Sequence, residues 1–87
     1  MTEFREIATG LRFPEGPIAL PDGTWLVVEI AAGRLSRIAA DGSVSVVADT
    51  GGGPNGAAIG PDGRCYVCNN GGMRFHGRDG LLFPELA

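Results

Sequence analysis

A gapless internal repeat with a period of forty residues constrains this chain more than any other feature. Pro14-Glu-Gly-Pro17 and the later triplet Pro21-Asp-Gly23 return as Pro54-Asn-Gly-Ala57 and Pro61-Asp-Gly63. Each copy places a polar residue before a glycine, then an apolar run, a Pro-Asp-Gly turn and a second apolar run. This order predicts a β-hairpin in each copy, with one polar side chain, Glu15 or Asn55, at its start.

The composition favours an all-β protein. Fifteen glycines and six prolines indicate many short strands and tight turns rather than long helices. No apolar run reaches the roughly 18 residues that a membrane span requires. The net charge of −3 and the scattered basic residues argue against nucleic acid as a partner. Residues 1–6 carry acidic side chains and no apolar stretch of the kind found in a secretory signal, so we expect a cytoplasmic protein with neither membrane nor nucleic-acid partners.

Four short antiparallel strands are expected to form a meander around the first hairpin. After its opening strand come strands at 24–30, 34–38 and 43–48, rich in β-branched residues and separated by glycine-containing turns. A further strand is predicted at 4–8, before the hairpin. In the second copy a third strand is predicted to begin at 73–76, with no fourth strand after it.

Meanders of four strands that recur about every 40 residues are typical of a β-propeller, in which each blade buries its faces against its neighbours. We predict that residues 1–87 are the N-terminal portion of one propeller domain. Its parts are a ring-closing strand at 4–8, a first blade at 13–50 and an incomplete second blade at 53–87. Propellers typically close with four to eight blades, so the sequence is expected to belong to a longer chain. Alternatively, several copies associate through open blade edges to rebuild a ring.

A family resemblance extends this prediction. Leu11-Arg-Phe-Pro-Glu-Gly-Pro17, an apolar strand, Pro-Asp-Gly and Gly33-Arg-Leu-Ser-Arg37 together resemble the start of the senescence marker protein, gluconolactonase and luciferin-regenerating enzyme family. The second copy, at 53–63, is similar to that family's next blade, and the resemblance covers most of residues 4 to 72. It implies a six-bladed propeller with one divalent cation, calcium or zinc, at the channel mouth. The glutamate of the family's Glu-Gly-Pro motif is a metal ligand, which implies this role for Glu15.

The resemblance also implies an activity, the hydrolysis of a small sugar lactone such as gluconolactone to the aldonic acid. The other metal ligands, including the aspartate that serves as general base, belong to later blades. No catalytic residue is therefore assigned within residues 1–87, which are expected to be inactive alone, and Asn55 is assigned a substrate-side or structural role. The alternative is a propeller that binds a small ligand or a protein without catalysis, since fold does not determine function.

The polar candidates also have plain structural interpretations. Glu15, between a proline and a glycine, is equally able to accept hydrogen bonds from backbone amides in a turn. Asn55 before Gly56, and Asn69-Asn-Gly-Gly72, are typical of turns. Glu29 ends the second predicted strand, where we expect it to meet solvent rather than the channel rim.

The remaining conspicuous side chains are interpreted as structural. Cys65 and Cys68 have the spacing of a redox or zinc pair, but residues three apart on a strand face opposite sides. We therefore expect two buried free thiols. His76, the sole histidine, is expected to be an ordinary strand-edge residue. Phe13 and Trp25 are expected to pack between blades.

Overall fold

The computed structural model describes residues 4–72 and 74–84, and these form eight strands and no helix. The strands are β1 (Pro14–Ala19), β2 (Trp25–Glu29), β3 (Arg34–Ile38), β4 (Val44–Asp49), β5 (Pro54–Ile59), β6 (Cys65–Asn69), β7 (Phe75–Arg78) and β8 (Leu81–Pro84). The predicted all-β class is confirmed. A helix of the length and apolarity needed to cross a membrane is absent from the described residues.

Strands β1 to β4 form one four-stranded antiparallel sheet in chain order. We call this sheet, residues 14–49, the first unit. It is the predicted meander: β3 has the predicted bounds, and β2 and β4 differ from the predicted ranges by one residue at each end. The pattern of apolar runs between turns therefore located this sheet correctly.

Three Asp-Gly turns close three hairpins in the same way. Oδ1 of Asp22, Asp41 and Asp62 accepts a hydrogen bond from the backbone N–H two residues later, at 3.0, 2.9 and 3.0 Å. The glycines that follow have φ values of 86°, 86° and 79°, in a region that other residues seldom adopt. These turns depend on local chemistry alone, which is why the sequence reveals them.

Strands β5 and β6 form a separate antiparallel hairpin, residues 54–69, which we call the second unit. Each of these strands begins and ends forty positions after its counterpart, β1 or β2. The two first strands also share an irregularity: the pairing register shifts between Glu15 and Ile18 in β1, and between Pro54 and Gly56 in β5. The sequence repeat is therefore a structural repeat.

The second unit packs against one face of the first unit. Leu26, Val28 and Leu35 form a buried cluster in the first unit. Partly buried side chains of the second unit pack against this cluster: Ala57, Cys65 and Val67. Face-to-face packing of successive antiparallel units is compatible with neighbouring propeller blades, but the described sheets do not close into a ring.

The segment at 4–8 forms no strand, contrary to the prediction. A strand needs a partner edge, and none of the described strands pairs with this segment. The segment instead lies over the other face of the first unit, where Ile7 and Ala8 border a cavity together with Trp25, Val27 and Ile38. Its ring-closing role concerns a later blade and stays a prediction.

The chain continues into a hairpin of β7 and β8, which we call the end hairpin. A strand begins within the predicted range 73–76, at Phe75, although Met73 lies outside the described residues. This strand pairs with β8 and not with β6, so its predicted place as the third strand of the second blade is wrong. The prediction of no further strand is also wrong. Asp79 and Gly80, at φ 54° and 77°, form the two-residue turn that matches the twist of paired strands. This Asp-Gly pair before the apolar residues at 81–83 was the signal for β8.

Candidate functional site

Glu15 lies on β1 where the pairing with β2 becomes irregular. It pairs with Val28, and regular pairing resumes only at Ile18 with Leu26. The residue is exposed, and no hydrogen bond or ion pair joins its carboxylate to another residue of the described ranges. Bulges of this kind redirect side chains and are common beside active sites. The carboxylate is therefore available to a ligand, as the metal-ligand hypothesis requires.

Asn55 lies at a nearby irregularity in the equivalent strand, β5, but unlike Glu15 it is itself the residue left out of the pairing. Pro54 pairs with Asn69 and Gly56 with Cys68, which leaves Asn55 as the extra, exposed residue of the strand. The two irregularities are neighbours, because a Cβ added to Gly16 would lie 3.1 Å from Cα of Gly56. The fold thus brings both predicted site residues to adjacent first strands, each directly before a glycine.

The described residues alone do not fit a divalent-metal centre. Among residues 4–72 and 74–84, no three or more His, Cys, Asp or Glu side chains cluster in a way that could hold a metal ion. Calcium takes six to eight oxygen ligands and structural zinc four ligands. Glu15 can contribute only one carboxylate to such a set, so any metal role requires further ligands from elsewhere.

Glu15 also borders a cavity of about 430 Å³ between the N-terminal segment and the first unit. Its floor is formed by Trp25, Val27 and Ile38, on the face turned away from the second unit. Prolines 14 and 17 and the side chains at 7, 8 and 11 complete a mostly apolar wall. Trp25 therefore faces the N-terminal segment and not the second unit. The ring of Phe13 contacts Phe75 of the end hairpin, with centroids 5.1 Å apart. The packing of both residues between blades stays a prediction.

Glu29 is the clearest correction to the sequence analysis, because its side chain is 0% exposed rather than in solvent. Oε1 accepts hydrogen bonds from the Arg12 backbone N–H at 2.8 Å and from Nη2 of Arg34 at 3.0 Å. Oε2 accepts from Nε of Arg34 at 2.6 Å and from Oγ of Ser36 at 2.5 Å. The turn after β2 returns the chain so that Arg34 pairs directly with Glu29. An acid and a base on either side of a short predicted turn were the signal for this pair.

The electrostatics of this group are those of a structural ion pair. Burial acts to raise the pKa of Glu29, but the hydrogen bonds from Arg34, Ser36 and Arg12 lower it below its ordinary value of 4.5. The same contact raises the pKa of Arg34. Both groups are therefore charged at neutral pH. A carboxylate with no solvent access and four donors has no free position for a substrate or a metal.

Asn69 ends β6 as Glu29 ends β2, and it also binds a loop. Its Oδ1 accepts hydrogen bonds from the backbone N–H of Gly53 at 3.0 Å and of Gly71 at 2.9 Å. Its Nδ2 donates to the carbonyl of Gly51 at 2.8 Å. The expected turn at 69–72 is thus formed, and the same side chain also fastens the linker between the two units.

Among the described residues, the cysteines and the histidine belong to no cluster of three or more His, Cys, Asp or Glu side chains that could hold a metal ion. Both thiols are free, as predicted, and lie on opposite faces of β6. Cys65 is half-buried against the first unit, whereas Cys68 is exposed, so the expectation that both are buried is wrong for Cys68. His76 is exposed on β7 of the end hairpin, as expected of a strand-edge residue.

No protein-family model matches the chain, and no curated protein is significantly similar to it.

Proposed function

We propose that this chain supplies the first blades of a metal-dependent hydrolase of small sugar lactones, similar to gluconolactonase. Glu15 would be one ligand of a divalent cation, calcium or zinc, and Asn55 would lie on the substrate side. One structural observation carries the proposal: the Glu15 carboxylate is exposed and unpaired at a bulge, beside the irregular strand that presents Asn55. The Glu-Gly-Pro motif adds the resemblance that points to a metal.

The roles of this chain's residues follow from their chemistry. A bound cation would polarise the lactone carbonyl and stabilise the negative charge that develops as water adds. Glu15 would offer oxygen donors, the atoms that hard cations prefer. The Asn55 amide can both donate and accept hydrogen bonds, which suits the hydroxyl groups of a sugar. The general base would come from a later blade, so residues 1–87 alone are expected to leave gluconolactone intact.

The test compares Glu15→Gln with Glu6→Gln in protein that includes the later blades. Both glutamates are exposed and border the same cavity, so Glu6 is a matched control for loss of one surface charge. We expect Glu15→Gln to lower gluconolactone hydrolysis on the order of a hundredfold or more, because a metal contributes several kcal/mol to the transition state. Calorimetry with calcium and with zinc should show a matching loss of affinity. Unchanged activity of Glu15→Gln would remove Glu15 from the metal site.

The apolar cavity beside Glu15 favours a second candidate function, the binding of a small ligand without catalysis. Its volume of about 430 Å³ lies within the range of about 300–1,000 Å³ that is usual for small-molecule sites. Chelation separates the two candidates. A ligand that binds equally well with and without EDTA, and is not turned over, would support the binding function and contradict the hydrolase.

A further inference from the structure

The segment that leads into β1 is held by the end of β2. The Arg12 backbone N–H donates to Oε1 of Glu29 at 2.8 Å. Two backbone bonds flank it: Ile30 N–H to the Phe13 carbonyl at 3.0 Å, and Ala31 N–H to the Arg12 carbonyl at 3.2 Å. These three bonds set the path of the chain immediately before Pro14 and Glu15.

The segment that leads into β5 is held in a similar way by the end of β6, with the side-chain bond one residue closer to the strand. The Gly53 backbone N–H donates to Oδ1 of Asn69 at 3.0 Å. The Asn70 backbone N–H donates to the Gly53 carbonyl at 3.1 Å, which is the Ile30 to Phe13 bond moved forward by forty positions. Asn69 thus occupies the position of Glu29 in the first unit, and its side chain likewise accepts a hydrogen bond from the backbone of the leading segment. We call each of these side-chain hydrogen bonds a tie.

The two ties differ in charge and burial, and the segments that they hold differ in backbone strain. Phe13 has a φ of 57°, although a residue before a proline normally adopts an extended conformation. The equivalent position in the second unit is Gly53, which has no side chain to strain. A buried carboxylate with four donors holds the strained segment. An exposed, neutral amide holds the unstrained one.

We propose that Glu29 and Asn69 are equivalent positioning residues, which fix the bulged starts of β1 and β5 and thereby the direction of Glu15 and Asn55. The significance for lactone chemistry rests on the function proposed above. The positioning itself depends only on the ties, so it can be tested without substrate or metal.

The experiment is nuclear magnetic resonance of the ¹⁵N-labelled 87-residue chain. In Glu29→Met with Arg34→Met, the ion pair is replaced by apolar side chains, a change that often preserves stability, and both the Arg12 N–H and the Ser36 hydroxyl lose their acceptor. We expect the Glu15 and Gly16 amide shifts to move and the Ile30 amide to exchange roughly tenfold faster. The Val44 amide, which pairs with Ile38 at the far end of β4, should keep its shift. In Glu29→Gln, which retains one acceptor oxygen for Arg12, the Glu15 amide should stay near its wild-type position.

Asn69→Ala provides an independent arm, because Asn69 is exposed and its loss is compatible with folding. Here the Asn55 and Gly56 amides should move while Glu15 does not. Unmoved Glu15 and Asn55 amides in the respective variants would overturn the proposal, as would equal shifts in the Met and Gln variants of Glu29. Full hydrolytic activity in Glu15→Gln would instead overturn the proposed function and leave the positioning result intact.

Discussion

The first and second units carry the same hairpin pattern, yet they bury it to different degrees. In β2 four of the five residues are buried, whereas in β6 none is. At equivalent positions Leu26 is 5% exposed and Tyr66 57% exposed. The second unit packs on the face that carries Leu26, whereas the Tyr66 hydroxyl donates to Asp62 of its own hairpin at 2.6 Å and the ring stays largely exposed. Strand β2 also lies between β1 and β3, whereas β6 pairs only with β5 among the described strands. Burial therefore depends on what surrounds a strand as well as on its own sequence.

This difference shows how a repeat array gains its stability. Each unit buries one face only when the next unit packs on it. The free energy of unfolding therefore has one contribution from each unit and another from each interface between neighbouring units. A further unit on the Tyr66 face would bury it as the second unit buries Leu26, which agrees with the proposed propeller. The sequence analysis also allows a second copy of this chain to associate through open strand edges. Strand β4 has such an edge, and all of its residues are exposed.

The largest predicted contrast is between Glu29 and Asn69. Glu29→Ala should lower the free energy of unfolding by about 3 kcal/mol, the low end for a broken buried pair, because Arg34 is itself 33% exposed. It also leaves the Arg12 N–H and the buried Ser36 hydroxyl without an acceptor. Asn69→Ala should cost only about 1 kcal/mol, since its hydrogen bonds are near the surface. Urea denaturation followed by Trp25 fluorescence measures both. Equal losses of unfolding free energy in the two variants would show that Glu29 and Asn69 stabilise their units equally, contrary to the prediction.

A second contrast tests burial by the neighbour directly. Leu26→Ala should cost about 2–5 kcal/mol, because it opens a cavity between the units. Tyr66→Ala, at the equivalent position, should change stability by less than about 1 kcal/mol, since most of its ring is already in water. The measurement is the midpoint of chemical denaturation. A large loss in Tyr66→Ala at low protein concentration, in a monomer, would contradict the described exposure.

A third contrast concerns two glycines at equivalent positions and predicts opposite signs. Gly16 has a φ of 56°, and an added Cβ would lie 3.1 Å from Cα of Gly56, so Gly16→Ala should cost roughly 1–3 kcal/mol. Gly56 has no such φ, and a Cβ there would meet nothing within 4 Å. Gly56→Ala should therefore stabilise the chain, by about 0.5 kcal/mol, through the unfolded state. Thermal unfolding by circular dichroism decides the sign of each.

The smallest effect is the pH dependence that Glu29 contributes. Its pKa is lower in the folded chain than its ordinary 4.5, so the unfolded chain binds the proton more readily. The stability from Glu29 is present above about pH 4.5 and is lost as the pH falls through the lowered folded pKa. Glu29→Gln should therefore show a shallower loss of stability in acid than wild type. Asp62→Asn serves as a control for the exposed turn aspartates. If the free energy of unfolding of Glu29→Gln fell in acid as steeply as that of wild type, the ionised, buried state of Glu29 would be contradicted.

The candidate site was only partly readable from the sequence. The positions of Glu15 and Asn55 followed from the repeat, and the fold places both on adjacent first strands. The bulges that present them were not predicted, because bulges depend on pairing with the opposite strand. Glu29 was missed for a similar reason: its burial requires Arg34 to return across the turn and the segment at 12–13 to dock on β2.

The sequence by itself determined the all-β class, the Asp-Gly turns and, to within one residue at each end, the bounds of β2 to β4, because these depend on local turn chemistry and on the alternation of side chains along short strands. Tertiary structure alone decided what covers each face. It left the segment at 4–8 without a partner strand, directed β7 to β8 instead of β6, exposed Cys68 and buried Glu29. Such choices depend on contacts between residues distant in the chain, and a pattern that repeats along the sequence contains no information about which of its copies has a neighbour.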